Sequence, residues 1–240
     1  MDWMDGFRPR DRAHQPPALH PAYRTSLTRS PRHPPVAVPT GLTEMTGPVF
    51  GAAGIDALEA DLLRNGRVDG DPIGERVLIH GRVLDEDGRP LRRSLVEIWQ
   101  ANAAGRYRHV NDSYLAPVDP NFTGGGRCLT DQDGRYAFMS IRPGPYPWPN
   151  GPNTWRPAHV HFSLFGEGFA QRLVTQMYFE GDPLLPLCPI FNSVPDKAAR
   201  DRLVATLDME AAKPFDHLAY RFDLVLRGRA ATVFESRQEE

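Results

Sequence analysis

The sequence predicts a mainly β protein, an antiparallel β-sandwich, on three observations. Apolar residues recur with a period of two over several segments from Arg76 onward. Turn signals such as Asp87-Gly88 and Asp131-Gln132-Asp133-Gly134 separate those segments. Stretches with a helical period are few and short. Many closely spaced strands with few helices suit two packed sheets.

The elements follow in chain order. Nine of the 24 prolines lie in the first 48 residues, including Pro16-Pro17 and Pro34-Pro35. Proline fixes φ and biases its predecessor toward extended backbone, so this stretch is neither helix nor interior strand. It also carries Trp3, Phe7, Tyr23, Leu27, Val36 and Val38, more apolar surface than a solvated linker needs. We expect an ordered arm over 1–50 that lies on a surface of this chain or of a partner, and a β-sandwich domain over 51–240. Ile55, Leu58 and Leu62 suit a short amphipathic helix over 55–65 that stops at Asn65-Gly66. Val77, Ile79 and Val83 then alternate, and Val96, Ile98 and Gln100 oppose Leu95, Glu97 and Trp99 on the next strand. Further strands are predicted at 127–130, 136–141, 158–165, 172–179 and 220–227. In the last, Tyr220, Phe222, Leu224 and Leu226 share a face. Ala199, Leu203 and Leu207 predict a helix over 196–209, with Ser193, Pro195 and Asp196 at its start.

Composition narrows the function. A net charge of −2 gives no reason to expect nucleic acid or an anionic membrane as partner. Two cysteines, Cys128 and Cys188, make no disulfide framework and no cysteine-rich metal motif. There is no apolar run near the length of a membrane span and no signal-type apolar stretch in MDWMDGFRPRDRAHQPP, so a cytoplasmic protein is expected.

The most informative segment is PGPYPWPNGPNTWRPAHVHFSL, Pro143 to Leu164. Six prolines between 143 and 157 make a stiff, non-regular loop leading into a strand. Such a loop can fix a ligand because little conformational entropy remains to be lost. On the strand, His159 and His161 face the same way about 6.6 Å apart, while Val160, Phe162 and Leu164 face the packing. Two histidines alone do not make a metal site, and taken alone they read first as a pair of solvated strand residues. No cysteine, H-x-x-E or HExxH pattern lies near. The loop does supply Tyr146, and Gly105-Arg106-Tyr107 supplies a second tyrosine, although most tyrosines in such places are packing residues.

The stretches LVEIWQANAAGRYRHVNDSYLAPVDPNFTGGGRCLTD, PGPYPW, WRPAHVHF and YFEGDPL resemble the intradiol ring-cleaving dioxygenases, from about Tyr23 to Phe234. The resemblance implies a non-haem Fe(III) cofactor held by two tyrosinates and two histidines, here Tyr107, Tyr146, His159 and His161. Hard ferric iron suits phenolate oxygen, and two phenolates with one hydroxide balance its charge. The resemblance further implies that Tyr146 is released when substrate binds while Tyr107 stays, and that Arg156 stabilises negative charge on the ring. It makes Gln176 the active-site glutamine and places Tyr23, Trp99, Trp148 and Ile190 around the substrate. The likeness is greatest to a metal-bearing β subunit, which implies a homologous α subunit as partner. The implied reaction opens 3,4-dihydroxybenzoate (protocatechuate) with O2 to 3-carboxy-cis,cis-muconate. Two other readings stand beside it. One is a catechol or hydroxyquinol 1,2-dioxygenase, whose helical N-terminal domain has no counterpart before the strands here. The other is a non-catalytic binding module, since Gly81 to Ile98 also resembles prealbumin-like domains.

Overall fold

A computed structural model describes residues 14–33, 54–166 and 169–233. Trp3, Phe7, Val36 and Val38 of the expected arm lie outside the described residues. The strands are β1 (Arg76–Leu84), β2 (Leu95–Gln100), β3 (Gly125–Leu129), β4 (Arg135–Ile141), β5 (Tyr146–Pro147) and β6 (Trp155–Arg156). They continue with β7 (His159–Gly166), β8 (Phe169–Phe179), β9 (Val204–Leu207), β10 (Leu218–Arg221) and β11 (Leu224–Val225).

The antiparallel sandwich is not what these strands build. Nine of them form one mixed sheet, with β5 and β6 paired separately. β1 pairs antiparallel with β4 but parallel with β10 and β11, and β8 pairs parallel with β9. Antiparallel pairs then run β9–β10, β8–β7, β7–β2 and β2–β3. The sheet curls until its ends, β4 and β3, approach each other across the Asp131–Gly134 turn, giving a nearly closed, barrel-like wall. Alternation in a sequence tells which face of a strand is buried; it says nothing of the neighbour or its direction, and here lies the correction.

One apolar core fills the inside of the curl. Val77, Ile79 and Val83 of β1 meet Val96 and Ile98 of β2, Phe138 of β4, and Val160 and Phe162 of β7. Each such fully buried side chain stabilises the fold by roughly 1.5–3 kcal/mol. A second cluster, with Tyr178, Cys188, Phe191 and Val194, packs the 185–203 segment against the outside of β8. Both cysteines are unpaired. Burial pushes the Cys128 thiol up to about 12, against a smaller pull from a backbone hydrogen bond, so it stays protonated.

Three local expectations change. Over 55–65 only a single 3-10 turn forms, Ala57–Ala60, started by a reciprocal Asp56–Glu59 capping box. The chain then leaves it because Leu62 is buried when its N–H bonds Met139 O at the edge of β4. The helix at 196–209 is one short turn, Lys197–Asp201, capped by Asp196. β-branched Val204 and Thr206 fit the strand β9, which fills the space between β8 and β10. The strand at 220–227 is broken at 222–223, where the Asp223 carboxylate accepts the Arg82 N–H. A Cβ on Gly81 would lie 1.9 Å from Phe222 O, so only glycine lets the two backbones come this close.

Candidate metal centre

His159 and His161 stand on β7 between two neighbours that fix their height. His161 is opposite Trp99 on β2 and Gln176 on β8, and His159 is opposite Tyr178. The His161 ring stacks on Trp99, centroids 4.8 Å apart and planes 4° from parallel. His159 is 2% exposed, and its Nδ1 lies 2.7 Å from Pro157 O. Nδ1 is therefore the protonated nitrogen and Nε2 carries the lone pair. Burial holds the His159 imidazolium well below the usual histidine range, aided by the charges of Arg156 and His161 and opposed by the Pro157 carbonyl. A neutral imidazole is the form that binds metal.

The two tyrosines come from loops rather than strands of the main sheet. Tyr107 ends a turn organised by Asn102, whose Oδ1 accepts from the N–H groups of Ala104 (2.9 Å) and Arg106 (3.0 Å). The Asp112 carboxylate then accepts the Tyr107 N–H at 2.7 Å. Tyr146 sits in the short β5–β6 pair, opposite Arg156. The two loops touch at Gly105, which has φ +80°; a Cβ there would lie 2.3 Å from Pro145 O. Glycine is needed both for the left-handed backbone and for the approach.

The four side chains converge. Tyr107 Oη lies 3.4 Å from His159 Nε2 and 3.2 Å from His161 Nε2, and Tyr146 Oη lies 3.3 Å from His159 Nε2. Donors arranged tetrahedrally at about 2.0–2.1 Å from one first-row ion are separated by about 3.3 Å, so the spacing fits a shared metal. No group of three or more His, Cys, Asp or Glu able to hold a metal occurs among the described residues. Phenols complete the donor set, which favours a hard, highly charged ion over zinc or copper.

Beside the donors lies a buried cation. Arg156 is 5% exposed and donates through Nη2 to Gln176 Oε1. Burial pulls its pKa down, but the phenols of Tyr178, Tyr146 and Tyr107 and the Cys188 thiol outweigh this and raise it, so it stays charged. Its guanidinium carbon is 5.5 Å from the Trp148 ring centroid. Arg156 Nε and Trp148 Nε1 are buried donors with no hydrogen-bond partner among the described residues. Tyr23 packs against Trp148 at 5.6 Å between centroids, and Asn150 ties it in place by accepting the Arg24 N–H and donating to Ala22 O. Ile190 stands further off, against the cluster that contains Tyr178 and Phe191. Reading the sequence alone missed Tyr178, Asn102, Asp112 and Asn150. Of these only Tyr178 carried a signal, as the residue two beyond Gln176 on one strand face.

A family model described as dioxygenase matches residues 45–228. The chain belongs to the intradiol dioxygenase family. A second model, protocatechuate 3,4-dioxygenase beta subunit N terminal, matches residues 8–40. The chain is 53% identical over 235 residues to the protocatechuate 3,4-dioxygenase beta chain of Burkholderia cepacia, covering 98% of this chain and 100% of that one. It is 31% identical over 166 residues to the alpha chain of that enzyme from Pseudomonas putida, covering 68% of this chain and 77% of the other. Among solved structures, 3-chlorocatechol 1,2-dioxygenase from Rhodococcus opacus 1CP superposes with a TM-score of 0.54 at 28% identity, covering 75% of this chain and 70% of that one. This intradiol dioxygenase is thus an oxidoreductase rather than a non-catalytic binding module, and its family uses non-haem iron. No helix among its described residues is long and apolar enough to cross a membrane.

Proposed function

We propose that this chain is the iron-bearing β subunit of a protocatechuate 3,4-dioxygenase. The observation that carries the reading is the meeting of four donors: Tyr107 Oη lies 3.2–3.4 Å from both imidazole Nε2 atoms, and Tyr146 Oη lies 3.3 Å from that of His159. Tyr107, Tyr146, His159 and His161 would hold Fe(III), which when bound chelates a catecholate and readies its ring for attack by O2. The choice of protocatechuate over catechol or hydroxyquinol rests on the full-length 53% identity and on the match of the N-terminal segment to a β-subunit model.

The residues of the chain have separable tasks. Tyr146, on a loop rather than in the main sheet, would be the phenolate that takes a proton at Oη from a catechol hydroxyl. Tyr107, anchored at its own N–H by Asp112, would hold the metal throughout. Arg156 opposes the negative charge that develops on the ring, beside the Trp148–Tyr23 pair. A buried donor left unsatisfied costs about 1–3 kcal/mol, so the neighbouring Arg156 Nε and Trp148 Nε1 favour an anionic or oxygen-rich occupant. Trp99 orients His161, Gln176 hydrogen-bonds Arg156, and Ile190 forms a more distant apolar wall.

The same reading gives a homologous α subunit as partner, supported by the relation to an α chain. It divides the chain into an N-terminal arm over 1–50 and a catalytic domain over 51–240, and the docking of Ala22 to Arg24 on Asn150 supports an arm that follows the domain surface. Two free thiols suit the reducing cytoplasm. Oxygen uptake by the purified protein, with and without α subunit, tests the assignment. Consumption with protocatechuate and formation of 3-carboxy-cis,cis-muconate are expected. Preference for catechol or hydroxyquinol would transfer the chain to the 1,2-dioxygenases.

A further inference from the structure

We propose that Tyr178 is a positioning residue for ring cleavage, holding the Gln176 amide and the Arg156 guanidinium in one orientation. The inference deepens the proposed function and rests on it. Tyr178 stands on β8 directly opposite His159 and is 1% exposed. Its hydroxyl donates to Gln176 Oε1 at 2.8 Å, and Arg156 Nη2 donates to that same oxygen. Arg156 Nη2 is also 3.5 Å from the Tyr178 hydroxyl.

Chemistry fixes the assignment of the amide. Arginine has no acceptor, so the Gln176 atom facing it is the oxygen. With two donors on Oε1, rotation of the amide would break both bonds and bring an N–H group against a guanidinium. The NH2 end is thereby turned away from the guanidinium. Tyr178 itself cannot drift, because its ring lies edge-to-face on Phe191 at 5.3 Å and 6.0 Å from the His159 ring. A buried cation, an amide and a phenol thus form one fully buried network around a single oxygen.

The test is Tyr178→Phe, which keeps the ring and its packing and removes only the hydroxyl. Assembled with the α subunit, the variant should retain iron and its phenolate absorption. Its kcat should fall roughly three- to tenfold, while KM stays within about twofold of wild type. In a Gln176→Leu background the same substitution should change kcat by less than about twofold, since the amide it positions is gone. Crystal structures of wild type and Y178F should show the Gln176 amide rotated or split and the Arg156 guanidinium displaced. Wild-type kcat in Y178F, an undiminished effect in the Q176L background, or an unmoved Gln176 and Arg156 would each overturn the proposal. If the wild-type protein opens no catecholic ring, the proposed function falls instead, and the two crystal structures alone decide the positioning role.

Discussion

The two halves of the proposed ligand set are built in different ways. His159 and His161 belong to β7, a strand hydrogen-bonded on both sides, and their positions follow from register with β2 and β8. Val160 and Phe162, between and beyond them, are fully buried in the main core, so the histidine face cannot turn without unpacking the protein. Tyr107 and Tyr146 belong to loops, and their positions follow from side-chain hydrogen bonds and from one close backbone contact at Gly105. The sheet supplies two imidazoles, whereas the loops supply two phenols.

Breaking the sheet half should have the largest effect. His159→Ala is expected to bring iron in the purified protein to background and to abolish oxygen uptake, with the β-rich circular dichroism spectrum preserved. Tyr107→Phe should also lower iron and activity together; retention of full iron would show that the loop phenol is dispensable. Arg156→Ala removes no metal donor and should leave iron bound while turnover falls by roughly 10²–10³-fold. Equal losses of iron and turnover in that variant would contradict the separation of binding from charge stabilisation.

The loop half is tested by smaller changes. Gly105→Ala forces a side chain into left-handed backbone and against Pro145 O, which should cost roughly 1–3 kcal/mol. A lower Tm and reduced iron occupancy are expected together, because the same contact holds the Tyr107 and Tyr146 loops. Asn150→Ala removes the two hydrogen bonds that tie Ala22 and Arg24 to the Tyr146 loop and should cost about 1–3 kcal/mol. A raised KM with unchanged iron content would locate its influence at the Tyr23–Trp148 wall. If iron fell instead, the 22–24 segment would be part of what holds Tyr146.

How much of this was legible beforehand depends on the range of the interaction. Alternation revealed the strands and their buried faces, and His-x-His revealed two donors on one face, because period two is a local property. The identity of the third and fourth donors came from resemblance rather than from spacing, since Tyr107 and Tyr146 are far from each other in sequence and look like packing residues. The predicted helix at 196–209 failed where a helical spacing met a vacant place beside β8 that only a strand could fill. The sandwich failed for a related reason. Parallel pairing of β1 with β10 joins residues such as Val77 and Leu218, and nothing in either segment names the other.

By itself the sequence determined that the chain is mainly β, that one face of β7 carries two imidazoles, and that its motifs are those of an intradiol dioxygenase. Only the tertiary structure decided that the sheet is mixed and nearly closed, that two loop phenols come within 3.4 Å of those imidazoles, and that Tyr178 and Arg156 share the Gln176 oxygen. The physical reason is that side-chain direction along a strand is set by neighbouring residues. Strand partners and loop convergence depend instead on packing between segments far apart in the chain.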